Sequence, residues 1–156
     1  MPERIAVVGP RRGAEQGVVQ DFVRALHQQS PSAILVSGGA DGVDSWAEAA
    51  WLALGGAVES YRVRKHGEDD FRIERWELGG DSPRVVPLLN EPSWYDWKSA
   101  LLYRSMVVAE VADRVCAFEG RDRMRGTEFT VWVSREAEQK PTYLWRDGEW
   151  LIHNSK

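Results

Sequence analysis

Four stretches of the chain carry residue types at spacings that suit a phosphate-bearing ligand. The first is Gly9-Pro10-Arg11-Arg12-Gly13. Glycine lets the backbone approach a ligand closely, and each guanidinium can meet two phosphate oxygens at once. The second is Ser37-Gly38-Gly39-Ala40-Asp41-Gly42-Val43-Asp44, a glycine pair followed by a helix-forming run. Backbone N–H groups and the helix dipole favour an anion at such a junction. This stretch is not the dinucleotide fingerprint, which follows the first strand and has its third glycine later. The third is Gly120 with Gly126-Thr127, where the Thr127 hydroxyl and amide suit a phosphate and Arg121, Arg123 and Arg125 add charge. The fourth is Arg104, placed nine residues ahead of Asp113. Each stretch also has a plainer reading: a tight turn with solvated arginines, a helix cap from Asp41 or Asp44, an exposed basic loop, or a surface salt bridge. Asp44 favours the cap over ligand contact, and the spacing of Arg104 alone favours the salt bridge.

Metal chemistry has little support. His27 lies within a helical run, and His66 and His153 are far apart in sequence, so no metal-ligand spacing appears. Glu68-Asp69-Asp70 reads as a solvated loop. Cys116 is the single cysteine, which excludes an internal disulfide or a cysteine-based zinc site. No metal or cofactor is expected.

The elements that must position these residues follow from apolar patterning. Arg4–Val8 reads as a buried strand ending at Gly9-Pro10. Apolar residues at Val18, Val19, Phe22, Val23 and Leu26 mark a helix between Gly13 and Gln29. Ala33–Ser37 is a second strand, Asp41–Leu54 a second helix and Ala57–Val63 a third strand. Arg64–Arg84 is charged and irregular, and is read as a lid, a short helix or a dimer contact. Val85–Leu89 is a short extra strand. A helix over Tyr95–Ala112, a strand over Arg114–Phe118, and a helix from Gly126 to Gln139 follow. Asp147-Gly148 between YLWR and EWLI signals a tight hairpin. Strands alternating with helices predict an α/β fold: one Rossmann-like doubly wound sheet, mainly parallel, with a C-terminal antiparallel hairpin strand. In such a sheet the ligand lies beyond the carboxyl ends of the strands.

Composition bounds the rest. The 156 residues are 43% hydrophobic and 28% charged, which suits one globular domain over residues 1–156 and not a disordered chain. The net charge is -4, so the basic surplus of a nucleic-acid-binding protein is missing and nucleic acid is not expected as a partner. No apolar run reaches the roughly 18 residues of a membrane span, and no signal peptide is evident, so the expected location is the cytoplasm. Eight tryptophans are many for this length and are expected in the core or between chains. Trp94 and Trp97 are also placed to stack on a base, although packing is the favoured reading.

The motifs together resemble the SLOG superfamily, the Rossmann-like group named for Smf/DprA and LOG proteins. Ser37-Gly38-Gly39-Ala40-x-Gly42-x-Asp44 is similar to its SGGAxGxD motif. Arg104 with Ala112-Asp113 resembles its helix arginine and the AD before the fourth strand. Ala117-Phe118-Glu119-Gly120, Arg125-Gly126-Thr127-x-x-Thr130 and Lys140-Pro141 resemble the YspA-like branch. The resemblance covers roughly residues 4–145. It implies a nucleotide or nucleotide-derived phosphate ligand, and with the tryptophan surplus it implies a homodimer. Within the superfamily some members sense nucleotides or signalling molecules, LOG enzymes cleave the N-glycosidic bond of nucleoside monophosphates, and DprA-like members bind single-stranded DNA. The LOG loop reads PGGxGTxxE and ends on the catalytic Glu. Here Glu119 replaces the proline, Arg121 the second glycine and Thr130 the Glu. The leading expectation is therefore a binding or sensing module, with Gly9, Arg11, Gly38, Gly39, Asp44, Gly120, Gly126 and Thr127 at the ligand. The alternative is a nucleoside 5′-monophosphate phosphoribohydrolase using Arg104 to position substrate and Glu119 as the carboxylate. DprA-like DNA binding ranks third.

Overall fold

The run RIAVV forms β1 (Arg4–Val8), with four of its five residues buried. In the computed structural model, which describes residues 2–80, 83–87, 96–120 and 125–153 apart from the side chains of Pro87, Arg125 and His153, this strand lies near the middle of one sheet. Its order is β5-β4-β3-β2-β1-β6-β7-β8. The strands are β2 (Ile34–Ser37), β3 (Ala57–Gly67), β4 (Asp70–Leu78), β5 (Arg84–Pro87), β6 (Arg114–Phe118), β7 (Thr142–Arg146) and β8 (Glu149–His153). The central five, β3-β2-β1-β6-β7, are parallel. The pairs β3/β4, β4/β5 and β7/β8 are antiparallel.

Parallel strands need crossovers, and the helices supply them. Helices α1 (Gln16–Gln29) and α2 (Val43–Ala53) cover one face of the sheet, while α3 (Trp97–Val111) and α4 (Arg125–Trp132) cover the other. The alternation of side chains along β1 divides the core accordingly. Ile5 and Val7 join Val19, Val23, Ala47 and Trp51 on the first face. Ala6 and Val8 join Val107, Val108 and Val131 on the second. Strands buried on both faces read as continuous apolar runs, which is why β1, β2 and β6 were legible. The strand order reverses between β1 and β6, so the crevice beyond their carboxyl ends is the expected ligand position.

Two regions differ from expectation. The segment read as an irregular insertion instead continues β3 through Gly67 and returns as β4. Its charges are satisfied across the strands: Arg64 reaches Glu74 at 3.7 Å, His66 reaches Glu74 at 3.2 Å, and Arg62 lies 4.8 Å from the Trp76 ring centre. The last helix is shorter than expected. It gives way after Trp132 to a π-helical turn, Val133–Ala137. Lys140 then donates from Nζ to the Ala109 and Glu110 carbonyls at the carboxyl end of α3. The hairpin at Asp147-Gly148 is as expected, with φ of 51° and 83° at the two turn residues, which glycine and aspartate tolerate. Trp51 is fully buried, whereas Trp97 and Trp132 are 43% and 53% exposed. Trp94 lies outside the described residues. Among the described residues, no helix is long and apolar enough to cross a membrane.

Candidate functional site

A crevice of about 480 Å³ opens beyond the carboxyl ends of β1 and β2, a volume typical of small-molecule sites. Four elements build it. The β1–α1 loop contributes Gly9, Pro10, Arg11 and Arg12, and the β2–α2 loop contributes Gly38, Ala40 and Asp44. Helix α3 supplies one wall through Lys98, Leu101, Leu102, Arg104, Ser105 and Val108. The start of α4 supplies the other through Gly126, Thr127 and Thr130.

Asp44 ties the first two loops together. Its carboxylate is 4% exposed and accepts from the Gly9 amide and the Ala40 amide, each at 3.3 Å. Burial pushes its pKa up to about 6, opposed by the Arg104 charge and the two amides and assisted by Glu48. The Gly39 amide donates to Ser37 Oγ at 3.0 Å and the Val43 amide to the Pro10 carbonyl at 3.3 Å. These four amides are thus engaged inside the protein, those of Gly9 and Ala40 by the Asp44 carboxylate. The expected cradle of bare amides is to this extent already filled.

Positive charge is what the crevice still offers. Arg104 leans across from α3 and donates from Nη1 to the Gly38 carbonyl. Gly38 permits this approach: a Cβ there would stand 2.9 Å from Asp44 Oδ2 and 3.0 Å from Arg104 Nε. Burial lowers the Arg104 pKa, Asp44 counteracts it, and the Arg11 charge lowers it further. Arg11, Arg12 and Lys98 line the same crevice with their side chains exposed, and Arg104 is the partly buried cation among them. Among the described residues lining the crevice, Asp44 is the only carboxylate.

The structure brings Gly9, Arg11, Gly38, Asp44, Arg104, Gly126 and Thr127 together. It does not bring Gly39, Gly120 or Glu119 to the same wall. Gly39, at φ 70°, faces β3, where a Cβ would meet Arg62 Cγ at 2.7 Å. Gly120 packs behind the β1–α1 loop, where a Cβ would meet Pro10 Cγ at 2.6 Å. Glu119 lines a separate cleft of about 390 Å³ with Glu15, Trp145 and Asp147, and accepts from Arg146 Nε at 2.6 Å. Thr130, which stands where the LOG motif has its Glu, donates from Oγ1 to the Gly126 carbonyl at 2.9 Å. Arg121 and Arg123 lie outside the described residues, as does the Arg125 side chain. Sequence reasoning missed Lys98, Ser105 and the leucine wall. Their signal was present in the spacing Lys98, Leu101, Ser105, Val108, which follows one helical stripe. Among the described residues, no group of three or more His, Cys, Asp or Glu is placed to hold a metal ion.

The architecture has solved counterparts. It is the fold of DNA processing protein A. The structure of that protein from Helicobacter pylori, described for its single-stranded DNA binding mode, superposes with a TM-score of 0.64 at 19% identity. It matches over 95% of this chain and 68% of its own. DNA processing protein A from Streptococcus pneumoniae superposes with a TM-score of 0.65 at 22% identity, over 92% of this chain and 50% of its own. The chain thus spans between half and about two thirds of these DNA processing proteins, and the likeness is one of fold. In fold it matches the Rossmann-like architecture expected from the sequence. No protein-family model matches the sequence, and no curated protein matches it.

One expectation is corrected here. Nucleic acid was not expected as a partner, on the net charge of -4, yet a protein of this fold is described by its binding of single-stranded DNA. Net charge over the whole chain is the wrong quantity. Charges beyond about 8–10 Å are screened at physiological salt, so a ligand responds to the cations beside it. Here Arg11, Arg12, Lys98 and Arg104 gather at one crevice against a single carboxylate, Asp44, among its described lining residues.

Proposed function

We propose that the crevice binds a nucleotide-derived ligand through its phosphate. One observation carries this reading: Arg11 and Arg104 converge on a cavity whose single described carboxylate is already held by two amides. An anion between the guanidiniums relieves their repulsion and gains charge-assisted hydrogen bonds, worth roughly 1.5–3 kcal/mol each. The walls of Leu101, Leu102 and Val108 suit the sugar and base. Within the superfamily, the Gly126-Thr127 loop and Lys140-Pro141 favour a place in the YspA-like branch. Calorimetric titration against mono-, di- and cyclic nucleotides and ADP-ribose tests the reading. Saturable one-site binding that weakens in Arg11→Ala is expected, and silence across the panel would refute it.

A second reading, binding of single-stranded DNA, is favoured by the fold shared with the Helicobacter pylori protein. Fluorescence anisotropy with a labelled oligonucleotide at moderate salt separates the two, since a site that admits only a free nucleotide gives no signal. Glycosidic hydrolysis is the reading the geometry favours least. Glu119 faces another cleft, Thr130 carries no carboxylate, and both Asp44 oxygens accept amides. Free base released from a nucleoside 5′-monophosphate is expected to stay at background, measured by chromatography. Release that disappears in Glu119→Gln would restore the hydrolase.

A further inference from the structure

The α3 wall of the crevice changes character twice between floor and mouth. Arg104, at the floor, is partly buried, bonded to the Gly38 carbonyl and close enough to feel the Arg11 charge. Leu101 and Leu102 come next, and Leu102 is 43% exposed. Lys98 stands at the mouth, exposed, in the first turn of the helix. Six residues separate Lys98 from Arg104, which is about 9 Å along a helix axis.

A phosphate held by Arg104 and Arg11 leaves Lys98, on the same wall, available to a second anionic group. A charge-assisted N–H···O bond spans about 2.7–2.9 Å, and an ammonium drawn to the floor would lie against leucine without water. Among the described residues, Asp96 is the acid that precedes Lys98 in the chain, and its oxygens accept from the Ser99 amide at 2.8 Å and the Ser99 hydroxyl at 3.0 Å. Asp96 is thereby directed into the helix cap, where the Lys98 charge still acts on it, while Lys98 itself lines the crevice.

Resting on the phosphate reading above, we infer that the crevice takes two phosphates held apart by a nucleoside. The first lies at Arg104 and Arg11 and the second at Lys98, with sugar and base against Leu101 and Leu102. This is the chemistry of a nucleoside 3′,5′-bisphosphate. It occurs as a free small molecule and as the repeating unit of a single nucleic-acid strand. Contiguous diphosphates place both charges at one end and leave Lys98 without a partner.

The test is a titration series with adenosine 5′-monophosphate, adenosine diphosphate, adenosine 3′,5′-bisphosphate and a 5′-phosphorylated thymidine oligonucleotide. The bisphosphate is expected to bind about tenfold more tightly than the monophosphate and the diphosphate. In Lys98→Ala that preference should collapse to parity, and Lys98→Glu should invert it. A wild-type protein that does not distinguish bisphosphate from monophosphate, or that prefers the diphosphate, overturns the two-phosphate site while leaving the phosphate reading intact. No binding by any of these ligands removes the phosphate reading and this inference with it. The oligonucleotide identifies the source. A salt dependence whose slope falls by about 0.7 in Lys98→Ala supports a strand. Exclusion of the oligonucleotide while the bisphosphate binds supports the free molecule.

Discussion

Two clefts of comparable size flank the β1–α1 loop, and among the described residues their linings carry opposite charge. The larger, on the α3 side, presents Arg11, Arg12, Lys98 and Arg104. The smaller, beside Trp145 and the start of α1, presents Glu15, Glu119 and Asp147. Each borders the same glycine-rich loop and lies at the carboxyl ends of parallel strands. Position in the fold therefore does not decide which cleft can take an anion. The charges that helix and strand ends bring to each side decide it. Asp44 sharpens the contrast, because it holds the loops of the basic cleft in place without cancelling its surplus.

The largest expected effect comes from removing the central cation of the basic cleft. Arg104→Ala should weaken nucleotide binding by roughly a hundredfold, since a partly buried charged partner is lost and Asp44 is left uncompensated. Calorimetry on the panel above checks this, and Arg104→Lys should recover only part because it cannot reproduce the fork. Gly38→Ala comes next. Its Cβ would displace the flexible ends of Asp44 and Arg104, so binding should fall by about tenfold at a stability cost near 1 kcal/mol, read by thermal unfolding.

A pH titration probes the same residues more gently. The Asp44 pKa is raised in the folded state to about 6, above its ordinary 3.8. A carboxyl raised on folding contributes stability that is complete below the unfolded value and is lost as pH rises through the folded one. Stability should therefore decline between about pH 4 and 6 in the wild type relative to Asp44→Asn, followed by urea unfolding. Protonating Asp44 also removes the negative charge beside Arg104. Anion affinity should rise several-fold as pH falls through 6, again relative to Asp44→Asn, which corrects for titration of the ligand phosphate. The smallest effect is expected in the acidic cleft. Glu119→Gln breaks an ion pair with Arg146, worth roughly 0–1 kcal/mol at a partly exposed site, and should leave nucleotide binding unaltered. A loss as large as that of Arg104→Ala would abolish the distinction between the clefts.

Much of the fold was legible because its signals are local. The apolar runs of β1, β2 and β6, the helical stripe of α1 and the Asp147-Gly148 turn each need only neighbouring residues to be read. The β3–β4 hairpin was not legible. Arg64, His66 and Glu74 read as part of an irregular charged insertion until strand pairing brings Arg64 and His66 to Glu74. The same holds at the site. The arginine and glycine motifs pointed to the right loops, but Gly39 and Glu119 were grouped with the others because each ends or follows a strand. Gly38 faces Arg104, and Gly39, one residue on, faces Arg62.

By itself the sequence determined the alternation of strands and helices and the placing of glycine and arginine at several strand ends. Those features depend on backbone conformation and on side-chain periodicity over a few residues. Only the tertiary structure decided which strand ends share a crevice. That choice depends on sheet order and on which face each helix covers. It joins Arg104 to Gly38 across 66 residues of chain and turns Glu119 toward Arg146.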